Sequence, residues 1–182
     1  MSRHHVALTY RDYAALPDDG RRYEIHDGEL SMMPAPSPQH QIVSANLFRI
    51  LDAHVRSNQL GMVLFAPLDV ILTDTAIVQP DLVYLDASRL GATSQRGIEG
   101  PPTLAIEILS PSTARVDRAT KFRLYARHGV PFFWLVDPDA RTVEAYRLTD
   151  EQYALALRAG GDTPVDLPPF VGLALMPASL WP

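Results

Sequence analysis

Leu104-Ala105-Ile106-Glu107-Ile108-Leu109-Ser110-Pro111 is the stretch on which the reading of this chain turns. Leu104, Ile106 and Ile108 share one face of an extended segment, and Ala105, Glu107 and Leu109 share the other. Both faces are largely apolar, which predicts an internal strand covered on both sides. Glu107 is the exception. An uncompensated carboxylate in such a strand costs several kcal/mol or takes up a proton, so a cation must answer it, either a metal or a basic side chain.

Upstream, Gln79-Pro80-Asp81-Leu82-Val83 offers a second carboxylate where a proline-broken backbone feeds another short strand. An Asp there also suits ordinary turn chemistry. Downstream lies Lys121, the one lysine against fifteen arginines. Two strand carboxylates, a backbone carbonyl such as that of Ile108 and a nearby amine are the parts of a divalent-metal hydrolase. The donors are hard oxygens, suited to Mg²⁺ or Mn²⁺, and no cysteine is available for a softer metal.

Around this centre the pattern predicts a mixed sheet in an α/β domain. A short helix is expected over 10–16. Asp27-Gly28 should turn a hairpin between Arg22–His26 and Glu29–Met33. Glu24 and His26 then share the strand face opposite Tyr23 and Ile25, which makes Glu24 a third acidic candidate. Pro34-Ala35-Pro36-Ser37-Pro38 is a stiff connector. Val43, Leu47, Ile50, Leu51 and Val55 recur at helical spacing, predicting a helix over 39–57. Residues 63–65 and 69–72 read as hairpin arms bent around Ala66-Pro67, 82–85 as a strand, and 91–102 as an exposed loop. A helix over 114–128 leads to three neighbouring strands at 131–136, 142–148 and 153–158.

On that helix Asp117, Lys121, Leu124 and His128 fall on one side, opposite Ala119, Phe122 and Ala126. Lys121 either points to water or, with the helix covered on both sides, reaches the carboxylates. Periodicity leaves both open. His26, His40 and His128 form no zinc spacing and read as satisfied or exposed histidines. Gly160-Gly161 and Gly28 match no phosphate-binding loop, so no nucleotide cofactor is expected.

Composition bounds the rest. The 182 residues fit one domain, 1–182, with 47% hydrophobic residues and no linker or repeat. No disulfide is possible, no apolar leader is visible, and no run is long enough to span a bilayer, so a cytoplasmic location without membrane contact is expected. The net charge of −5 argues against avid nucleic-acid binding. Arg115, Arg118, Lys121, Arg123 and Arg127 against Asp117 nevertheless make one locally basic segment. Its Arg115, Arg118 and Arg123 are candidates for phosphate contacts.

The chain resembles, over nearly its full length, the bacterial family described as "putative restriction endonuclease", within the PD-(D/E)xK nuclease superfamily. The resemblance rests on Tyr23 through Leu30, Met33 through His40, Gln79-Pro80-Asp81-Leu82-Val83, Ile106 through Thr113, Asp117 through Tyr125, and Phe133 through Pro138. It implies a restriction endonuclease-like α+β fold, a central mixed sheet flanked by helices, often dimeric. It maps the motif acids to Asp81 and Glu107, with Glu24 as the N-terminal acid. The usual motif has lysine two positions after the glutamate, where this chain has Leu109, which leaves Lys121 as the substitute.

The resulting expectation is metal-dependent hydrolysis of DNA phosphodiesters. Asp81, Glu107 and the Ile108 carbonyl would hold the metal. Glu24 would orient water or bind a second ion, and Lys121 would act on water or phosphate, with its removal changing stability little. A homodimer sealed by Phe170, Val171, Leu173, Leu175, Leu180 and Trp181 is expected to allow both strands to be cut. The alternative is a catalytically inactive module of the same fold that binds nucleic acid or protein.

Overall fold

A computed structural model describes residues 6–182. The elements are α1 (Tyr10–Ala14), β1 (Arg22–His26), β2 (Glu29–Met33), α2 (Pro38–Ser57), β3 (Gly61–Phe65), β4 (Val70–Thr73), β5 (Ala76–Val78), β6 (Leu82–Asp86), β7 (Thr93–Ser94), β8 (Gly97–Glu99), β9 (Leu104–Ile108), α3 (Phe122–Arg127), β10 (Phe132–Asp137), β11 (Thr142–Thr149) and β12 (Gln152–Gly160). This is a mixed α+β fold, but its strands form two sheets. One has the order β2-β1-β5-β4-β8-β7 and the other β12-β11-β10-β9-β6-β3. In the second, β9 and β10 are parallel, with Glu107 opposite Leu135, while β6 runs antiparallel to β9.

The alternation read from 104–109 decides the packing. Leu104, Ile106 and Ile108 meet Val43, Leu47, Leu51 and Val55 of α2 in one core, closed by Trp134 and Phe170. Ala105 and Leu109 face a second core with Val70, Val78, Ile98, Leu124 and Tyr125, which joins the two sheets and α3. Each fully buried aliphatic side chain contributes about 1.5–3 kcal/mol of burial. The central strand is therefore held from both sides.

The expected hairpin around Ala66-Pro67 does not form. β3 pairs with β6, whereas β4 pairs with β5 and β8 in the other sheet. Residues 66–69 carry the chain from one sheet to the other, anchored where the Ala66 amide donates to the Asp81 carbonyl at 3.0 Å. Residues 79–81 make the return crossing between β5 and β6. Local pattern shows two apolar runs and a turn, but not that the runs belong to different layers. The expected loop at 91–102 likewise contains two short strands, β7 and β8, added to the edge of the first sheet.

The helix expected over 114–128 is two pieces. Val116–Lys121 is a π-helical turn that runs directly into α3. Four of the six C-terminal residues offered as a dimer seal lie in the chain's own core, namely Phe170, Leu173, Leu175 and Leu180, and Trp181 packs against it. Of the six, Val171 alone is largely exposed, at 87%. Among the described residues no helix is long and apolar enough to cross a membrane.

Leu51 is fully buried between α2 and the sheet. Leu51→Ala should therefore lower stability by about 2–5 kcal/mol, read as a drop in the urea midpoint with an unchanged slope.

Candidate active site

The site forms where the chain crosses between the sheets. Pro36-Ser37-Pro38 starts α2: the Ser37 hydroxyl accepts the His40 amide at 3.2 Å and Pro38 occupies the first turn. That cap sets His40 in the first turn, facing the 79–81 crossing. The Asp81 carboxylate accepts from the Ile108 amide at 2.8 Å and contacts His40 Nε2 at 3.1 Å, both through Oδ2. With a carboxylate as acceptor, Nε2 of His40 carries the hydrogen of that contact. Nδ1 is buried and has no partner.

Gln79 ties the other side. Its backbone amide donates to Glu24 Oε1 at 2.7 Å, its side-chain carbonyl accepts from Arg22 Nε at 2.9 Å, and its amide group donates to Asp69 at 2.8 Å. Glu24 Oε2 lies 2.8 Å from His26 Nε2.

Lys121 sits at the centre. Its Nζ lies 2.9 Å from Glu24 Oε1, 3.1 Å from Glu107 Oε1 and 3.8 Å from Asp117 Oδ1. Tyr125, one turn on, donates to the same Glu107 oxygen at 2.6 Å. The helix is covered on both sides. Lys121 is only 1% exposed, and on the opposite side Phe122 makes aromatic contacts with Phe133, Tyr146 and Tyr153. Asp117 and Lys121 both lie within the π-helical turn and both are buried. Such turns re-aim side chains that a regular helix would place elsewhere.

The electrostatics follow from four buried carboxylates, Glu24, Asp81, Glu107 and Asp117, around one ammonium. Burial opposes ionisation of Glu24, but Lys121, His26 and the Gln79 amide outweigh it and bring its pKa from 4.5 down to about 2. Burial pushes Glu107 well above the usual carboxylate range; Lys121 offsets part of this, while Asp117, Asp81 and Glu24 add to it. Asp117 is raised for the same first reason. Burial also works against a charged Lys121, yet Glu107, Glu24 and Asp117 hold it protonated above its ordinary value.

A cavity of about 30 Å³ opens among Asp81, Glu107, Ile108, Asp117, Lys121 and His40, room for a water or a single ion. Its donor set suits a hard divalent cation. The oxygens outnumber the one ammonium, and Asp117 Oδ1 is buried with no hydrogen-bond donor. Among the described residues no three histidine or carboxylate side chains are disposed to share one ion. A metal here would rest on two carboxylates, main-chain oxygen and water.

All four acid and amine positions read from the sequence thus meet in one place, with Ile108 lining it. His40, Asp117, Tyr125 and Gln79 were missed as members. For His40 the signal was present: a Pro-Ser-Pro cap fixes the first turn of the helix that follows. The arginines expected to meet phosphate are not equivalent. Arg118 is spent on Asp137 and Glu144 at 3.1 and 3.0 Å, whereas Arg115 and Arg123 are exposed.

The buried cluster changes one expectation. Removing Lys121 would leave carboxylates uncompensated in the interior, so Lys121→Ala should cost about 3–5 kcal/mol in urea unfolding instead of leaving stability unchanged. The depressed Glu24 pKa contributes stability that is complete above 4.5 and is lost as pH falls toward about 2. Over that window the urea midpoint of the wild type should fall more steeply than that of Glu24→Gln. Parallel curves would show that Glu24 holds no such linkage.

Comparison with known proteins agrees with this architecture. A crystal structure described as a putative nuclease belonging to DUF820, from Anabaena variabilis, superposes with a TM-score of 0.73 at 23% identity, covering 95% of this chain and 97% of that one. An uncharacterized Synechocystis protein, slr1290, is 27% identical over 134 residues, which is 71% of this chain and 68% of that protein. The model of the Uma2 family, described as "Putative restriction endonuclease", matches residues 10–178. By that match, which takes in both crossings between the sheets and every residue of the buried cluster, the chain belongs to the Uma2 family.

Proposed function

We propose that this protein is a divalent-metal-dependent nuclease acting on DNA. The observation that carries the reading is the meeting of Asp81, Glu107 and Lys121 around one small cavity, within a family described as "Putative restriction endonuclease". Asp81 and Glu107, with the Ile108 carbonyl, would hold Mg²⁺ or Mn²⁺. When bound, such an ion acidifies water and offsets charge developing on the phosphate.

The chain's own residues do the rest. The Ile108 amide and the His40 ring fix one oxygen of Asp81, so the carboxylate is oriented before substrate arrives. His40 presents the unpartnered Nδ1 beside it, able to accept a hydrogen bond or a proton from an attacking water. Lys121 and Tyr125 hold one oxygen of Glu107 from behind, which sets the direction of the side chain. Lys121 is saturated by carboxylates, so its role in this reading is to organise Glu107 and Glu24; direct contact with phosphate is secondary.

That same saturation favours a second reading, a nuclease-fold module that binds nucleic acid without turnover. Cleavage decides between them. Purified protein should cut DNA with Mg²⁺ or Mn²⁺ and stop on chelation. Asp81→Ala and Glu107→Gln should each lower the rate by about two orders of magnitude or more, with the fold retained by circular dichroism. Unchanged cleavage by both variants would assign the activity to a contaminant. Metal-independent, salt-sensitive binding with no cleavage of any substrate would favour the binding module.

A further inference from the structure

A second, larger cavity of about 520 Å³ adjoins the acidic one. His40, Asp81, Arg22 and Pro36 line both, so the two share a wall. Its floor is apolar: Phe48 from α2, Phe65 at the end of β3, and Pro67 on the crossing. Phe65 is 56% exposed, and the Phe48 ring meets it edge-on at 4.8 Å and 71°. Phe65 is thereby held on one side while more than half of its surface stays open.

Two guanidiniums line the same cavity, those of Arg22 and Arg49. Arg22 is half-buried and fixed by Gln79, and Arg49 touches Asn46 at 2.9 Å. Among the described residues neither has a carboxylate within 4.0 Å, although the chain as a whole is acidic. An open aromatic ring beside guanidiniums that have no acidic partner is the complement of a nucleotide, its base on the ring and its phosphate on arginine. A base inside a duplex is stacked on both faces and has no face to offer. A pocket of this kind is filled by a base that is unpaired or turned out of the helix.

Building on the nuclease reading, we propose that the cavity of Phe48, Phe65 and Pro67 receives the base of an unpaired nucleotide adjoining the scissile phosphate, with Arg22 and Arg49 on the backbone. The substrate class is then single-stranded or locally unpaired DNA. Discrimination among bases is weak, because stacking accepts every base. An apolar side chain of a protein partner would suit the floor but gives no use to the two guanidiniums.

The test measures binding apart from cleavage. Anisotropy of a short labelled oligonucleotide, with Ca²⁺ replacing Mg²⁺, compares a single strand with a blunt duplex on the full chain. The single strand should bind more tightly. Phe65→Ala, a change at an exposed ring that circular dichroism should show to be folded, should weaken single-strand binding about 5- to 100-fold. An abasic nucleotide scanned along the strand should weaken wild-type binding at one position, and Phe65→Ala should abolish that penalty. Equal affinity for strand and duplex, no dependence on Phe65, or no binding of the single strand would each overturn the proposal. Metal-dependent cleavage of duplex DNA that ignores Phe65 would leave the nuclease reading standing and remove the pocket. Phe65-dependent strand binding without any cleavage would do the reverse.

Discussion

One buried ammonium organises this protein. Lys121 is enclosed by Glu24 from β1, Glu107 from β9 and Asp117 from its own helical turn. Those three acids come from the first sheet, the second sheet and the helix between them. Without the amine, burial would force the carboxylates to take up protons or drive the layers apart. A pair of this kind is weak evidence for stability compared with an apolar core, but it strongly specifies how the layers dock, because each acid left alone is costly.

The same constraint explains why the site lies at the junction of the sheets. Within a layer, backbone groups are committed to ladders. At the 79–81 crossing they are free: the Gln79 amide donates to Glu24 and its carbonyl accepts from Arg22, while the Asp81 side chain takes the Ile108 amide. The crossing is short and Pro80 stiffens it, so Asp81 has little freedom once its carboxylate takes the Ile108 amide. Rigid placement of this sort is what a hydrolytic site requires of its ligands before any ion or substrate arrives. The larger apolar cavity is a by-product of the other crossing, since residues 66–69 leave β3 beside the first turns of α2 and expose Phe65 between them.

An acidic chain is compatible with the proposed nucleic-acid substrate because of where its charge lies. Part of the negative charge that would repel phosphate is internal, grouped around Lys121, and part is paired with arginine, as Asp137 and Glu144 are with Arg118. From outside the cluster, Arg22 borders both adjoining cavities and Arg49 borders the larger one. Net charge is a statement about the whole surface, whereas a phosphate meets the local field.

Much was legible in the sequence alone. The alternation of 104–109 determined a strand covered on both faces, Asp27-Gly28 determined the β1–β2 hairpin, and the 3.6-residue spacing of Val43 to Val55 determined α2, because each is a local pattern with one packing solution. Glu107 announced itself by being polar where everything around it was apolar. Tertiary structure decided what periodicity does not carry. It placed the arms expected at 63–65 and 69–72 in different sheets, since strand partners are chosen by long-range burial and not by the turn between them. It turned His40 toward Asp81, and it settled the side on which Lys121 lies. On a helical wheel that side was indistinguishable from a solvent face; only the approach of β1, which brings Glu24 to within 2.9 Å, made it an interior one.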